Sequence, residues 1–222
     1  MAALSARDEV LARVRAALGD VPPDERSAGA SIVRDYARGL GLTHEAIAAR
    51  FAERLSDYGA DVRRCGADEA GRVVTEALVA HGASRVGVPP DLPASMRPYG
   101  LDVVEDRDLA ARGSEGLEGL DAVVTTCSVA IAETGTICLA GGIGDGRRAL
   151  TLVPDLHVCV VHEAAIVGSV PEGIERLADA GRAGHPITLA SGPSATSDIE
   201  MNRVAGVHGP RRLVVVLVSG RP

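Results

Sequence analysis

The 222-residue chain carries 23 arginines and no lysine against 30 acidic residues, which leaves a net charge of −7. This length suits one or two domains that bury roughly 70% of their unfolded surface, and 46% hydrophobic with 24% charged residues describes an ordinary globular chain rather than a disordered one. The acidic balance argues against nucleic acid as a partner, the missing lysine excludes Schiff-base, P-loop and protein-kinase chemistry, and one Phe, three Tyr and no Trp exclude base-stacking platforms.

Residues 5–18 predict an amphipathic helix capped by Ser5, with Val10, Leu11, Val14 and Leu18 on one stripe. Arg7, Asp8, Glu9, Arg13 and Arg15 interrupt it, so it is not a signal peptide. Residues 19–30, with Pro22, Pro23 and two glycines, predict a linker. The expected division is therefore 1–30 as an N-terminal helical arm with its linker and 31–222 as an α/β domain. The arm either packs peripherally on the body or docks a partner subunit. No stretch reaches about 18 uninterrupted apolar residues, so no membrane span is expected, and a cytoplasmic location is.

Thr43 opens a helix that runs to about Tyr58 before Gly59. A short strand follows at 60–64, then a helix at 68–81 with Val73, Val74, Ala77 and Leu78 facing inward. Residues 85–88 form an apolar strand stopped by Pro89 and Pro90, and 101–104 form another. Strands alternating with helices of about 10–15 residues predict βαβ units and a parallel sheet. Residues 115–120 are glycine-rich and read as a surface turn. Further strands are expected at 121–125, 135–139, 150–153 and 157–161, a helix at 172–183 and a strand at 187–190. The last strand, 213–218, contains no charge, which suits a central position covered on both faces.

Three loops gather polar residues and glycine at strand ends, where open α/β sheets bind ligands. In Ala132-Glu133-Thr134-Gly135-Thr136, a carboxylate and two hydroxyls adjoin apolar strands. Glu133 suits a general base or nucleophile with a raised pKa, or else a turn cap that Gly135 permits. The loop at 141–148 holds Gly142, Gly144 and Gly146 without the spacing of a dinucleotide fingerprint. Its amides, with Arg147 and Arg148, suit a carboxylate or phosphate, or else form a hairpin-like loop with solvated arginines. The third loop, Ser191-Gly192-Pro193-Ser194-Ala195-Thr196-Ser197-Asp198-Ile199-Glu200, places small hydroxyl residues before a short helix. Ser197 or Asp198 either caps that helix and leaves an anion site at its amides, or caps it and does nothing more. His208, flanked by Gly206-Val207 and Gly209, suits an acid, a base or an anion donor. His44, His81 and His185 read as surface residues. The six histidines and four cysteines (Cys65, Cys127, Cys138, Cys159) show no metal-ligand spacing, so no metal site is expected, and the cysteines read as small buried hydrophobes.

Taken in order, Ala130-Ile131-Ala132-Glu133-Thr134-Gly135-Thr136, then Leu150-Thr151-Leu152-Val153-Pro154-Asp155-Leu156-His157, then the Ser191 loop, then Gly206-Val207-His208-Gly209-Pro210 resemble the lactate-utilisation protein C family, the LUD domain. The resemblance covers most of the second half of the chain, and the first half shares its layout. It implies a three-layer α/β fold with a mostly parallel sheet, similar to the sugar-phosphate isomerase and CoA-transferase group. It also implies a role in oxidising L-lactate to pyruvate together with iron–sulfur partner proteins. The clusters would belong to those partners, and no cofactor is expected on this chain. Thr125-Thr126-Cys127-Ser128 departs from the family, in which a glycine or an acidic residue is expected.

Under this reading Arg147 or Arg148 holds the substrate carboxylate and His208 handles the hydroxyl proton. Thr134, Gly135, Thr136, Ser191, Gly192, Ser194, Thr196, Asp198 and Gly209 complete the binding surface, and a homo-oligomer is one option for assembly. The alternative is a stand-alone enzyme resembling CoA transferases, where a glutamate beside a glycine is the nucleophile, or formyltetrahydrofolate cyclo-ligase, with Glu133 at the centre. A third option is a non-catalytic scaffold that binds a small anion.

Overall fold

The computed structural model describes residues 5–20, 22, 33, 35–110, 115–196, 204–205 and 209–220. The chain falls into two compact units, Met1–Ala37 and Arg38–Pro222. In the first, helix α1 (Ala6–Ala17) starts where the Ser5 hydroxyl accepts the Asp8 amide at 3.2 Å. Asp8 and Glu9 lie at its positive end and Arg15 at its negative end. None of its residues is buried, and Val10 and Val14 are exposed.

The second unit is framed by a six-stranded, wholly parallel sheet. Its order is β1 (Asp61–Gly66), β12 (Arg212–Ser219), β7 (Leu156–His162), β4 (Ala122–Thr125), β2 (Arg85–Val88) and β3 (Asp102–Glu105). The composition explains the arrangement. β12 runs through Leu213, Val214, Val215, Val216, Leu217 and Val218, all buried, between β1 and β7, and such β-branched runs suit strands covered on both faces.

One face packs against helix α3 (Ala70–Ala80), whose Val73, Val74, Ala77 and Leu78 meet Val158, Val160, Val214 and Val216. The other face carries helix α2 (His44–Asp57) and a second sheet. Thr43 caps α2 by accepting the Ala46 amide at 3.3 Å, and Phe51 and Leu55 are fully buried. The second sheet has the order β8 (Ile166–Val167), β5 (Val129–Ile131), β6 (Thr136–Leu139) and β9 (Thr188–Ala190). β5 pairs parallel with β8, and β6 runs antiparallel to both β5 and β9. Helix α6 (Val170–Arg182) closes the far side through Leu177 against Val129, Ile131, Cys138 and Val167. Glu172 starts α6 by accepting the Ser169 amide at 2.7 Å. Short helices α4 (Asp106–Ala110) and α5 (Glu115–Glu118) bury Leu109 and Leu117 with Leu120, Val123 and Leu150. β10 (Ala195–Thr196) and β11 (Val204–Ala205) form an antiparallel pair.

The fold is thus the expected α/β class with a parallel main sheet, and three local expectations change. Residues 150–153 are turns, not a strand: the Leu150 and Leu152 amides donate to the Arg147 and Ala149 carbonyls, so Leu150 is buried while Leu152 and Val153 stay exposed. Residues 115–118, read as a turn, make one helical turn because Leu117 has a core to enter. Residues 129–131, where no element is predicted, are an inner strand of the second sheet.

Candidate functional site

The chain changes direction across the main sheet at β2, with β3 on one side and β4 on the other. Such a switch point opens a crevice at the carboxyl ends of the strands. There β2 runs into Pro89-Pro90-Asp91 and β4 into Thr126-Cys127-Ser128. A cleft of about 410 Å³ lies here, lined by Asp91, Gly142, Arg147, Arg148, Thr151 and His185 among others.

The wall of this cleft is the glycine loop at 141–148, and Asp145 holds it in shape. The Asp145 carboxylate is fully buried and accepts the Ala140 amide at 2.9 Å, the Gly142 amide at 3.1 Å and the Ser128 hydroxyl at 2.5 Å. Thr126 adds a hydroxyl bond to the Ile143 carbonyl at 2.5 Å and donates its amide to the Gly144 carbonyl at 2.8 Å. Gly144 has φ +74°, and a Cβ there would stand 2.7 Å from Thr126 Oγ1, so only glycine fits.

The two arginines are held differently. Arg147 Nε donates to both oxygens of the buried Asp106, at 3.0 and 2.8 Å. Arg148 Nη1 reaches Thr151 Oγ1 at 3.3 Å. His185 follows Gly184 at the end of α6, where its amide donates to the Ala180 carbonyl and its exposed ring borders the cleft beside Gly141. No motif marks His185 in the sequence, and its position just past a helix-ending glycine was the one local cue.

The first loop lies elsewhere. Thr136 opens β6 and Leu139 closes it at the cleft, so three residues of strand rise put the Thr136 end about 10 Å away. There Thr134 Oγ1 meets Thr136 Oγ1 at 2.6 Å, and Thr136 Oγ1 meets Ser191 Oγ at 2.7 Å. Glu133 Oε2 accepts the amide of Val170, the first residue of α6, at 3.0 Å, which places a negative charge at a positive helix end. Gly135 has φ +60° and lies so close to α2 that a Cβ would stand 2.7 Å from the Arg54 Cβ. Gly192 abuts Tyr58, the Ser194 amide donates to the Pro210 carbonyl at 2.8 Å beside Gly209, and Thr196 lies in β10. Asp198 and His208 lie outside the described residues.

The structure therefore separates residues that the sequence allowed in one site. Arg147 and Arg148 line the cleft, while Glu133, Thr134, Gly135, Thr136 and Ser191 build the opposite end of β6. Asp155, from the Pro154-Asp155 motif, ties the entry to β7 to that of β12: Arg211, burial and Arg212 act on its carboxyl, and the two arginines hold it below the usual range against the burial.

Residues 48–218 match the family model of the LUD domain. The chain is similar to Lactate utilization protein C of Deinococcus radiodurans, at 47% identity over 178 residues, which is 80% of this chain and 82% of that relative. It is also similar to Lactate utilization protein C of Halalkalibacterium halodurans, at 34% identity over 122 residues and 53% of each chain. A crystal structure of a DUF162 family protein from Deinococcus radiodurans aligns with a TM-score of 0.68 and 40% identity, over 80% of this chain and 99% of that one.

Proposed function

This chain belongs to the LUD domain family, and from that membership we propose that it serves lactate utilisation by binding L-lactate, or its product pyruvate, in the cleft beside the glycine loop. The observation that carries this reading is the convergence of Arg148, Arg147 and His185 on one small cleft at the switch point of the sheet. Arg148 and the loop amides hold the carboxylate, because a guanidinium and backbone N–H groups suit a planar anion. Arg147, fixed by Asp106, adds field without moving. His185 takes the hydroxyl proton, and Asp91 and Thr151 orient the remaining polar group.

Oxidation of the alcohol to a ketone also removes a C–H bond with its electron pair. In this reading iron–sulfur partner proteins would take up those two electrons at the mouth of the cleft, where His185, Asp91 and Gly142 are exposed, and the carbon-bound hydrogen would leave as a second proton to water. The stand-alone transfer reading needs Glu133 as nucleophile, whereas that carboxylate holds the Val170 amide and is not among the residues that line the cleft. Reconstitution tests the proposal. Lactate-dependent reduction of an electron acceptor is expected with this chain and its iron–sulfur partners together. Equal turnover by the partners without this chain would refute it.

A further inference from the structure

The charges around the cleft nearly cancel, and one of the negative ones has no partner in the protein. Arg147 is neutralised by the buried Asp106, which its Nε bonds through both carboxylate oxygens. Arg148 is the second positive charge on the wall. Asp91 lines the same cleft, and among the described residues its carboxylate makes no ion pair or hydrogen bond.

The backbone under Asp91 is fixed to the wall. β2 ends at Val88, and Pro89-Pro90 turn the chain out of the sheet. The Leu92 amide donates to the Pro89 carbonyl at 3.1 Å, which closes a tight turn with Pro90 and Asp91 at its centre. Arg97 Nη2 donates to the Pro90 carbonyl at 2.9 Å, and its Nε donates to the Leu92 carbonyl at 3.2 Å. One guanidinium therefore grips the residue on each side of Asp91, and Glu105 holds that guanidinium at 2.9 Å. Leu92 is buried, and Pro89 lies so close to the glycine loop that a Cβ on Gly146 would stand 3.0 Å from its ring. An unpaired carboxylate on a braced turn is a standing charge at the edge of the cleft.

We infer that Asp91 restricts the cleft to acids with a single negative charge. This inference rests on the carboxylate reading given above. One carboxylate of a ligand meets Arg148 and the loop amides. A second carboxylate on the same molecule finds no free counter-charge, because Asp106 neutralises Arg147 and Asp91 repels it. Size does not do the excluding. The cleft of about 410 Å³ falls within the range that holds far larger ligands than a three-carbon acid. An unpaired like charge is a general device for rejecting a wrong ligand. At the short separations inside one cleft it weakens binding about fivefold or more.

The test is calorimetry at neutral pH on the full chain, as the parent, Asp91→Asn and Asp91→Glu. The probes are L-lactate, L-malate and L-2-hydroxyisocaproate. Malate adds a carboxylate to the methyl carbon of lactate, and 2-hydroxyisocaproate adds an uncharged isopropyl group of similar size. The parent is expected to bind both monoacids and to bind malate about fivefold or more weakly than 2-hydroxyisocaproate. In Asp91→Asn the affinity for malate relative to lactate should rise about fivefold or more. Asp91→Glu keeps the charge and should keep the rejection. Raising the salt concentration should shrink the discrimination in the parent, since exposed charges are screened. Malate bound by the parent as tightly as 2-hydroxyisocaproate, or an unchanged malate-to-lactate ratio in Asp91→Asn, would overturn the role of Asp91 and leave the carboxylate site standing. A parent that binds neither monoacid would contradict the carboxylate site itself, and this inference with it.

Discussion

Arg147 and Arg148 are neighbours in the chain and have different tasks. Arg147 neutralises the buried Asp106, so Arg147→Ala strands a carboxylate and is expected to lower stability by about 2 kcal/mol, read by chemical denaturation. Arg148 reaches Thr151, and in the proposed role it holds the ligand. Arg148→Gln should weaken pyruvate binding by ~1.5–3 kcal/mol, about tenfold or more, in calorimetry. Glu133→Gln removes a charge from the start of α6; it should cost about 0.5–1 kcal/mol and leave pyruvate affinity unchanged. The sequence pointed to both arginines, and its turn-cap option for Glu133 becomes an acceptor at the start of α6, 37 residues away. It did not show His185, because a histidine after a helix-ending glycine looks the same whether a cleft lies beside it or not.

At the scale of elements, the glycine loop depends on one buried carboxylate. Asp145→Ala leaves the Ala140 and Gly142 amides and the Ser128 hydroxyl without their acceptor. It is expected to destabilise the fold by ~2–4 kcal/mol and to speed amide exchange across 141–148. Asp145 was legible in the sequence only as one residue of a glycine-rich loop. Its partners Ala140 and Gly142 are local, but Ser128 comes from another segment, and no spacing rule brings it there. The helices were easier to read. Thr43 before α2 and Gly59 after it, or the inward residues of α3, are local signals with local causes. The strands of the second sheet were harder. β5 and β8 have three and two residues, too few for a period to show, and what makes them strands is pairing with distant partners. The apolar run at 150–153 misled for the converse reason, since hydrophobic residues there form turns with only one side chain entering the core.

Across the whole molecule, the parallel sheet was legible because several of its strands are short, apolar and separated by helices, and the charge-free run 213–218 of β12 falls between two neighbours as its composition requires. The strand order was not legible, because it depends on which crossovers skip a strand, and the cleft exists because of that order. The acid sensitivity of the fold is also a property of the whole. The Arg85 amide, then the Ser84 amide and hydroxyl, hold the Asp121 carboxyl below its usual range and tie β2 to the start of β4. Asp155 is lowered in the same direction through Arg211 and Arg212. A carboxyl depressed in the folded state contributes stability above its unfolded pKa of about 3.9, and that contribution is lost as pH falls through the folded value. The melting temperature should therefore fall as pH drops below about 4, and Asp121→Asn, already weaker at neutral pH, should show a shallower decline.

The most direct measurement is isothermal titration of the purified chain with L-lactate and with pyruvate, run in parallel on the parent, Arg148→Gln and Glu133→Gln. Binding at one site in the parent, lost or at least tenfold weaker in Arg148→Gln and intact in Glu133→Gln, is the expected result. Binding that survives in Arg148→Gln but fails in Glu133→Gln, or no binding of either acid by the parent, would contradict a carboxylate site in the glycine-loop cleft.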